Sequence, residues 1–283
     1  MRMIPRLLMA AAMASTAFAS SGELRTTALK LSESHKDAIV WLSVLSKTTV
    51  SAEGISAPPQ EKEDKGEITG TVVDPSGLIV TALGGIDKAA MVNGQMVDTP
   101  KGRVKLNATS EVKDLKVITA DGTEIPADLV MKDVDLGLAF IKVRMDSEEA
   151  KGVKFASVDL NDSAKGEMLD DCIGLGRLDQ NLNREPSVLT SEITGITTRP
   201  RVFYRVVMDS IGCPVFLSTG KLLGISVIRQ PKNGGGQFQV APVILPAADV
   251  AKVAAQAKDA KPEAKPAVTE EKKADEPAKK DGE

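Results

Sequence analysis

The chain has 283 residues, enough for one large or two medium domains, with 42% hydrophobic and only 3% aromatic residues. A core of this composition must be filled mainly by aliphatic side chains. The net charge of -3 and the pI near 5.5 exclude a broad basic surface, so no nucleic-acid partner is expected.

The N-terminus has the pattern of a secretory signal peptide at residues 1–19. Two arginines precede a short apolar stretch at residues 7–14, and an Ala-Phe-Ala cleavage pattern follows at residues 17–19. The alternative is a retained membrane anchor, although the apolar stretch is shorter than a bilayer crossing needs. We expect an exported protein, periplasmic or secreted, with no transmembrane segment in the mature chain and an N-terminal extension at residues 20–34.

Glycine-bearing turns separate short β-rich segments in the middle of the chain. In the turn at residues 74–77, a proline at the second position and a glycine at the last favour a tight reversal between the flanking strands. The same arrangement recurs at residues 120–122 and 218–220. Short strands at this spacing predict an all-β fold, either a barrel or a sandwich.

Composition divides the chain into two β units and two flanking regions. The first β unit is predicted at residues 35–145 and the second at residues 152–245. A proline-led, alanine-rich segment at residues 246–256 predicts a C-terminal helix. Residues 257–283 consist largely of Lys, Ala, Glu and Pro, which predicts a disordered tail. Residues 88–112, rich in Gly, Asn, Thr and Lys, predict an inserted surface loop.

Five segments resemble the protease domain of the Deg/HtrA family, in the same order along the chain. They are residues 70–81, 115–127, 133–143, 212–225 and 237–242. The resemblance implies a trypsin-like double β-barrel, in which two six-stranded antiparallel barrels enclose an active-site cleft. It spans roughly residues 36–256, and we expect no appended PDZ domain.

The resemblance also assigns the catalytic positions, and all three are degenerate. Gly84 stands in the histidine position, Gly137 in the aspartate position and Ile211 in the serine position. Asp209 replaces the glycine whose amide helps to form the family's oxyanion hole. Because glycine cannot accept a proton and isoleucine cannot attack a carbonyl, we expect an inactive homologue of the serine endopeptidases, with no catalytic residues.

Two residues could offer displaced catalysis. His35 is the only histidine and lies about fifty residues before the histidine position, so it is interpreted as an exposed residue near the mature N-terminus. Ser210 follows Asp209 and imitates the Asp-Ser pair of trypsin if one residue is inserted. Without a neighbouring base, Ser210 remains an ordinary hydroxyl.

The two cysteines, Cys172 and Cys213, fall on strands that the resemblance places side by side. We therefore predict a disulfide between them, against the alternative of two separate buried thiols. Two cysteines alone cannot form a four-ligand zinc site, and no dinucleotide or phosphate loop is recognisable. Neither a metal nor a cofactor is expected.

The resulting hypothesis is an exported pseudoprotease that binds an extended peptide or a partner protein in the cleft between the barrels, by strand addition. One alternative is an active serine endopeptidase with its nucleophile displaced to Ser210. Another is a structural cell-envelope protein that acts through its charged tail. Homo-oligomers stay open, since many Deg/HtrA proteins assemble as trimers through N-terminal segments.

Overall fold

The computed structural model describes residues 22–100, 102–229 and 241–262 of the chain. The predicted signal peptide lies outside these residues, and so does the predicted tail from residue 263 onward.

The first half of the described chain forms a closed barrel with an added hairpin strand. Six antiparallel strands follow the order β1-β2-β3-β7-β6-β5, and the barrel closes because β1 pairs with both β2 and β5. Strand β4 pairs with β5 outside this circle, and two single-turn helices, α2 and α3, connect β3 to β4. The elements are β1 Ile39–Ala52, β2 Gln60–Asp74, β3 Leu78–Ala82, α2 Leu83–Ile86, α3 Ala89–Val92, β4 Met96–Thr99, β5 Gly102–Ile118, β6 Glu124–Asp133 and β7 Leu138–Val143.

The second half forms another closed six-stranded barrel. Its order is β10-β13-β12-β11-β8-β9, again with antiparallel pairing. The two closed barrels confirm the predicted all-β, trypsin-like double-barrel class. The strands are β8 Asp171–Arg177, β9 Pro186–Thr197, β10 Phe203–Val206, β11 Pro214–Leu217, β12 Leu222–Arg229 and β13 Ala241–Pro246.

Helices flank the barrels at both ends of the described chain. Residues 22–35 form α1, where only an extension had been predicted. Ala28 and Leu31 are buried because their spacing places them on one helix face. At the other end, α4 spans Ala247–Asp259, directly after Pro246 in the capping position.

The hydrophobic core has three parts, and the largest joins the two barrels. One cluster fills the first barrel around Leu42, and another fills the second barrel around Ile193. The third contains Phe140 from the first barrel, Phe216 from the second and Val250 from α4. The barrels therefore pack as one continuous body through shared apolar side chains.

Two sequence-based boundaries are wrong. Residues 88–112 are not an inserted loop, because they contain α3, β4 and the first half of β5, which pairs with β1 as far as Leu106. The C-terminal helix does not end at residue 256, and the tail does not begin at residue 257. Ala257 is completely buried, because it continues the apolar face of α4 one turn beyond Val253.

Candidate functional site

The segments that carry the three degenerate positions meet where the barrels join. Gly84 lies in α2, and the amide of Leu83 before it donates a 2.8 Å hydrogen bond to the carbonyl of Gly137. Gly212 follows Ile211, and a Cβ on Gly212 would lie 3.3 Å from the Cα of Thr81 in β3. The backbone thus places the three positions on adjoining segments, and their assignment to a catalytic triad stays a prediction.

Hydrogen bonds from both barrels hold the loop around Ile211 in place. From β2, the Thr69 hydroxyl donates to the Ile211 carbonyl at 2.5 Å, and the Thr71 hydroxyl donates to the Gly212 carbonyl at 2.8 Å. From β12, the Ser226 carbonyl accepts the Gly212 amide at 2.8 Å. The backbone of this loop is therefore fixed by hydrogen bonds on two sides.

The surroundings of Gly84 and Gly137 restrict a larger side chain in different ways. A Cβ on Gly84 would lie 2.6 Å from the Met91 sulfur, so this thioether fills the space where a larger side chain would begin. Gly137 has φ of 73°, a left-handed conformation that strains other residues. Its Cβ would also lie 3.3 Å from the Ile228 carbonyl oxygen. A larger side chain at either position would therefore meet a neighbouring atom.

Ser210 and His35 are not brought together as a nucleophile and base. The Ser210 hydroxyl donates to an Asp209 carboxylate oxygen at 3.1 Å, and Asp209 is exposed. The His35 ring stacks on Phe216 with its centroid 5.2 Å away. Burial lowers the pKa of His35, which is half-buried rather than exposed as the sequence analysis expected. Within the described residues, no hydrogen bond joins the two groups.

The predicted disulfide is wrong. Strands β8 and β11 are neighbours, as expected, but their register pairs Cys172 with Leu217. Cys213 lies four residues before Leu217, immediately ahead of β11, and thus about 13 Å away along the strand axis, which is beyond the reach of a disulfide. Both cysteines are free and buried, and burial raises the pKa of each thiol to about 12.

Arg184 and Arg229, both from the second barrel, contact the first barrel near this junction. The Arg184 guanidinium binds both carboxylate oxygens of Glu67, at 3.1 Å and 2.6 Å. The Arg229 guanidinium donates to the Asp135 carbonyl at 2.7 Å, two residues before Gly137. The sequence does not predict these contacts, because Arg184 and Glu67 are 117 positions apart and Arg229 and Asp135 are 94 positions apart. No local sequence pattern indicates such distant pairs.

Among the described residues, no three His, Cys, Asp or Glu side chains are grouped closely enough to hold a metal ion. None of the described helices has the length and apolar character required to span a bilayer.

The comparison with protein-family models supports the fold. A family model described as a trypsin-like peptidase domain matches residues 68–225. The crystal structure of the MamO protease domain from Magnetospirillum magneticum, in its apo form, is similar with a TM-score of 0.46. Sequence identity is 16%, and the alignment covers 78% of this chain and 97% of that one. No curated protein matches the chain significantly.

Proposed function

Because the chain belongs to the trypsin-like peptidase family, we propose that it is an exported pseudoprotease, which binds an extended peptide or a partner protein without cleaving it. One observation carries the proposal. Gly84, Gly137 and Ile211, the positions that the family resemblance assigns to the triad, lie on adjoining segments, and none of them has a side chain able to attack or to transfer a proton.

The expected loss of hydrolysis follows from the number of missing groups. Removing one member of a catalytic triad typically lowers the rate on the order of 10⁴-fold or more. Here all three groups are absent from the assigned positions. Asp209 occupies the position assigned to the oxyanion-hole glycine, so its carboxylate would repel developing negative charge, and we expect no compensation from oxyanion stabilisation.

Binding is supported by the apolar character of the same positions. Ile211 is half-buried and offers a hydrocarbon surface where the family has a hydroxyl, and the Met91 side chain lies beside Gly84. An extended peptide could place apolar side chains against these groups while its backbone pairs with a strand edge.

A hydrolysis assay tests the loss of activity. The purified protein is incubated with casein and with fluorogenic peptides, beside trypsin, and its serines are probed with a fluorophosphonate. We expect neither cleavage nor labelling above the level of the Ser210→Ala variant. Cleavage that disappears in Ser210→Ala would overturn the pseudoprotease assignment.

A peptide array tests binding. We expect peptides captured by the wild-type protein to bind Ile211→Glu at least tenfold more weakly, because the new carboxylate would be desolvated against the peptide. Leu29→Glu, which places the same charge on a residue 61% exposed on α1, serves as the control. Equal binding by all three proteins would rule out the cleft, and loss only on truncation after Pro262 would assign binding to the tail.

A further inference from the structure

Within the described residues, strand β2 has a long edge that pairs with no other strand. It pairs with β1 from Gln60 to Thr71 without irregularity, whereas its pairing with β3 begins only at Thr71. The Thr69 carbonyl points away from β1, since it accepts a hydrogen bond from the Thr81 hydroxyl on β3. The other odd-numbered residues of the regular β2 ladder share this orientation, so Glu61, Glu63, Lys65 and Glu67 direct their backbone donors and acceptors outward. Such a row is a template for another strand.

The edge is exposed and carries charges of both signs. Its sequence from residue 61 to residue 65 is Glu-Lys-Glu-Asp-Lys, and four of these five residues are exposed, among them Glu61, which forms an ion pair with Lys47 of the same chain. Asp64 is partly covered, and it forms an ion pair with Lys88. This arrangement excludes an apolar partner and favours one with a complementary order of charges.

We propose that the partner is a second copy of this chain, whose β2 pairs antiparallel with this one around a twofold axis at Glu63. In that register Glu61 faces Lys65 of the partner subunit, and Lys62 faces Asp64 of the partner subunit. Symmetry repeats both contacts, so four opposite-charge pairs surround one like-charge pair at the axis. The facing odd-numbered residues all have outward backbone groups, as an antiparallel ladder requires.

Neighbouring registers place like charges together. An axis at Asp64 sets Glu61 against Glu67 of the partner subunit, and it sets two Asp64 residues against each other. An axis at Lys62 sets Glu61 against Glu63 of the partner subunit, and it sets two Lys62 residues against each other. Like charges directly opposite destabilise paired strands, so the charge order selects the axis at Glu63.

Cysteine cross-linking tests the register. In Glu63→Cys the two new thiols would face each other across the axis, at a separation that suits a disulfide. In Lys65→Cys they would lie about 13 Å apart. Both native cysteines are buried, so the introduced thiol is the accessible one. Under mild oxidation we expect a covalent dimer from Glu63→Cys and none from Lys65→Cys.

A charge-exchange experiment tests the pairing independently. Lys65→Glu and Glu61→Lys each create two like-charge contacts in a homodimer, which should weaken self-association about 10- to 100-fold in analytical ultracentrifugation. Mixing the two variants restores opposite charges at both contacts, so the mixture should associate again. Lys154→Glu, the same change at an exposed lysine outside the barrels, should associate like wild type.

Two outcomes would overturn the proposal. One is a wild-type protein that stays monomeric at about 100 μM in low salt while Glu63→Cys gives no cross-link. The other is a dimer whose affinity is unchanged in Lys65→Glu. Thermal melting of each variant shows that it is folded, and association that weakens with added salt supports pairing through exposed charges.

Discussion

Gly212 shows how closely the loop beside Ile211 is fitted to the first barrel. Its φ is 81°, and a Cβ there would lie 2.5 Å from the Thr69 carbonyl oxygen and 2.7 Å from the Thr81 hydroxyl. The first contact is with backbone and the second is with a buried hydroxyl, so neither can move aside easily. The loop keeps this requirement even though the neighbouring position is an isoleucine. The fit of Gly212 thus needs no hydroxyl side chain at position 211.

We predict that Gly212→Ala lowers the free energy of unfolding by about 3 kcal/mol, since it combines a left-handed backbone with overpacking. Gly220→Ala is the matched control, because Gly220 has φ of 86° and open space around it. That variant should lose only about 1 kcal/mol. Urea denaturation measures both. Equal losses would mean that the contacts with β2 and β3 are unimportant.

At the scale of elements, the sequence predicts those structures that residues close together in the chain determine. The turn at residues 74–77 indicates the β2–β3 hairpin, because its proline and glycine have defined backbone preferences. The polar strands β4 and β5 resemble a loop in composition, and their pairing with β1 is a long-range property. The register of the two cysteine-bearing segments is also a long-range property. The family resemblance predicts that β8 and β11 are neighbours, but no single turn joins these two strands and fixes which residues face each other.

The contact of α4 with the β2–β3 turn gives a pH-dependent prediction. The Lys258 ammonium, together with the Ser76 amide, lowers the pKa of Asp74 to about 2. A lowered pKa in the folded state adds stability above the unfolded value of about 4, and this stability is lost as the pH falls toward 2.

Removing the ammonium should therefore raise the pKa of Asp74. We expect this in Lys258→Met by NMR titration of the carboxyl, with part of the shift kept by the Ser76 amide. The stability difference from wild type should be largest above pH 5 and disappear near pH 2. Lys252→Met, whose ion pair is with Asp249 on the same helix, should leave the Asp74 pKa unchanged. An unshifted pKa in Lys258→Met would show that the amide alone is responsible.

At the scale of the whole molecule, the two barrels are joined by apolar packing and by one buried cation. The shared cluster contains Phe140 from the first barrel and Phe216 from the second, so neither barrel can separate without exposing it. Arg177, only 9% exposed, adds polar contacts at the same junction. Such a junction should make the two barrels unfold together.

The Arg177 guanidinium donates to three backbone carbonyls, those of Lys36, Ile39 and Arg184. These carbonyls belong to the segment before β1, to β1 itself and to the loop before β9.

We predict that Arg177→Met lowers the free energy of unfolding by about 3 kcal/mol, because the carbonyls lose a charged donor within a buried junction. Arg205→Met, at an exposed position of β10, should change stability by less than about 0.5 kcal/mol. Urea denaturation followed by fluorescence and by circular dichroism should give one coincident transition in wild type. If Arg177→Met separates the two transitions, the cation is the main coupling between the barrels; if it only shifts them together, the apolar cluster is.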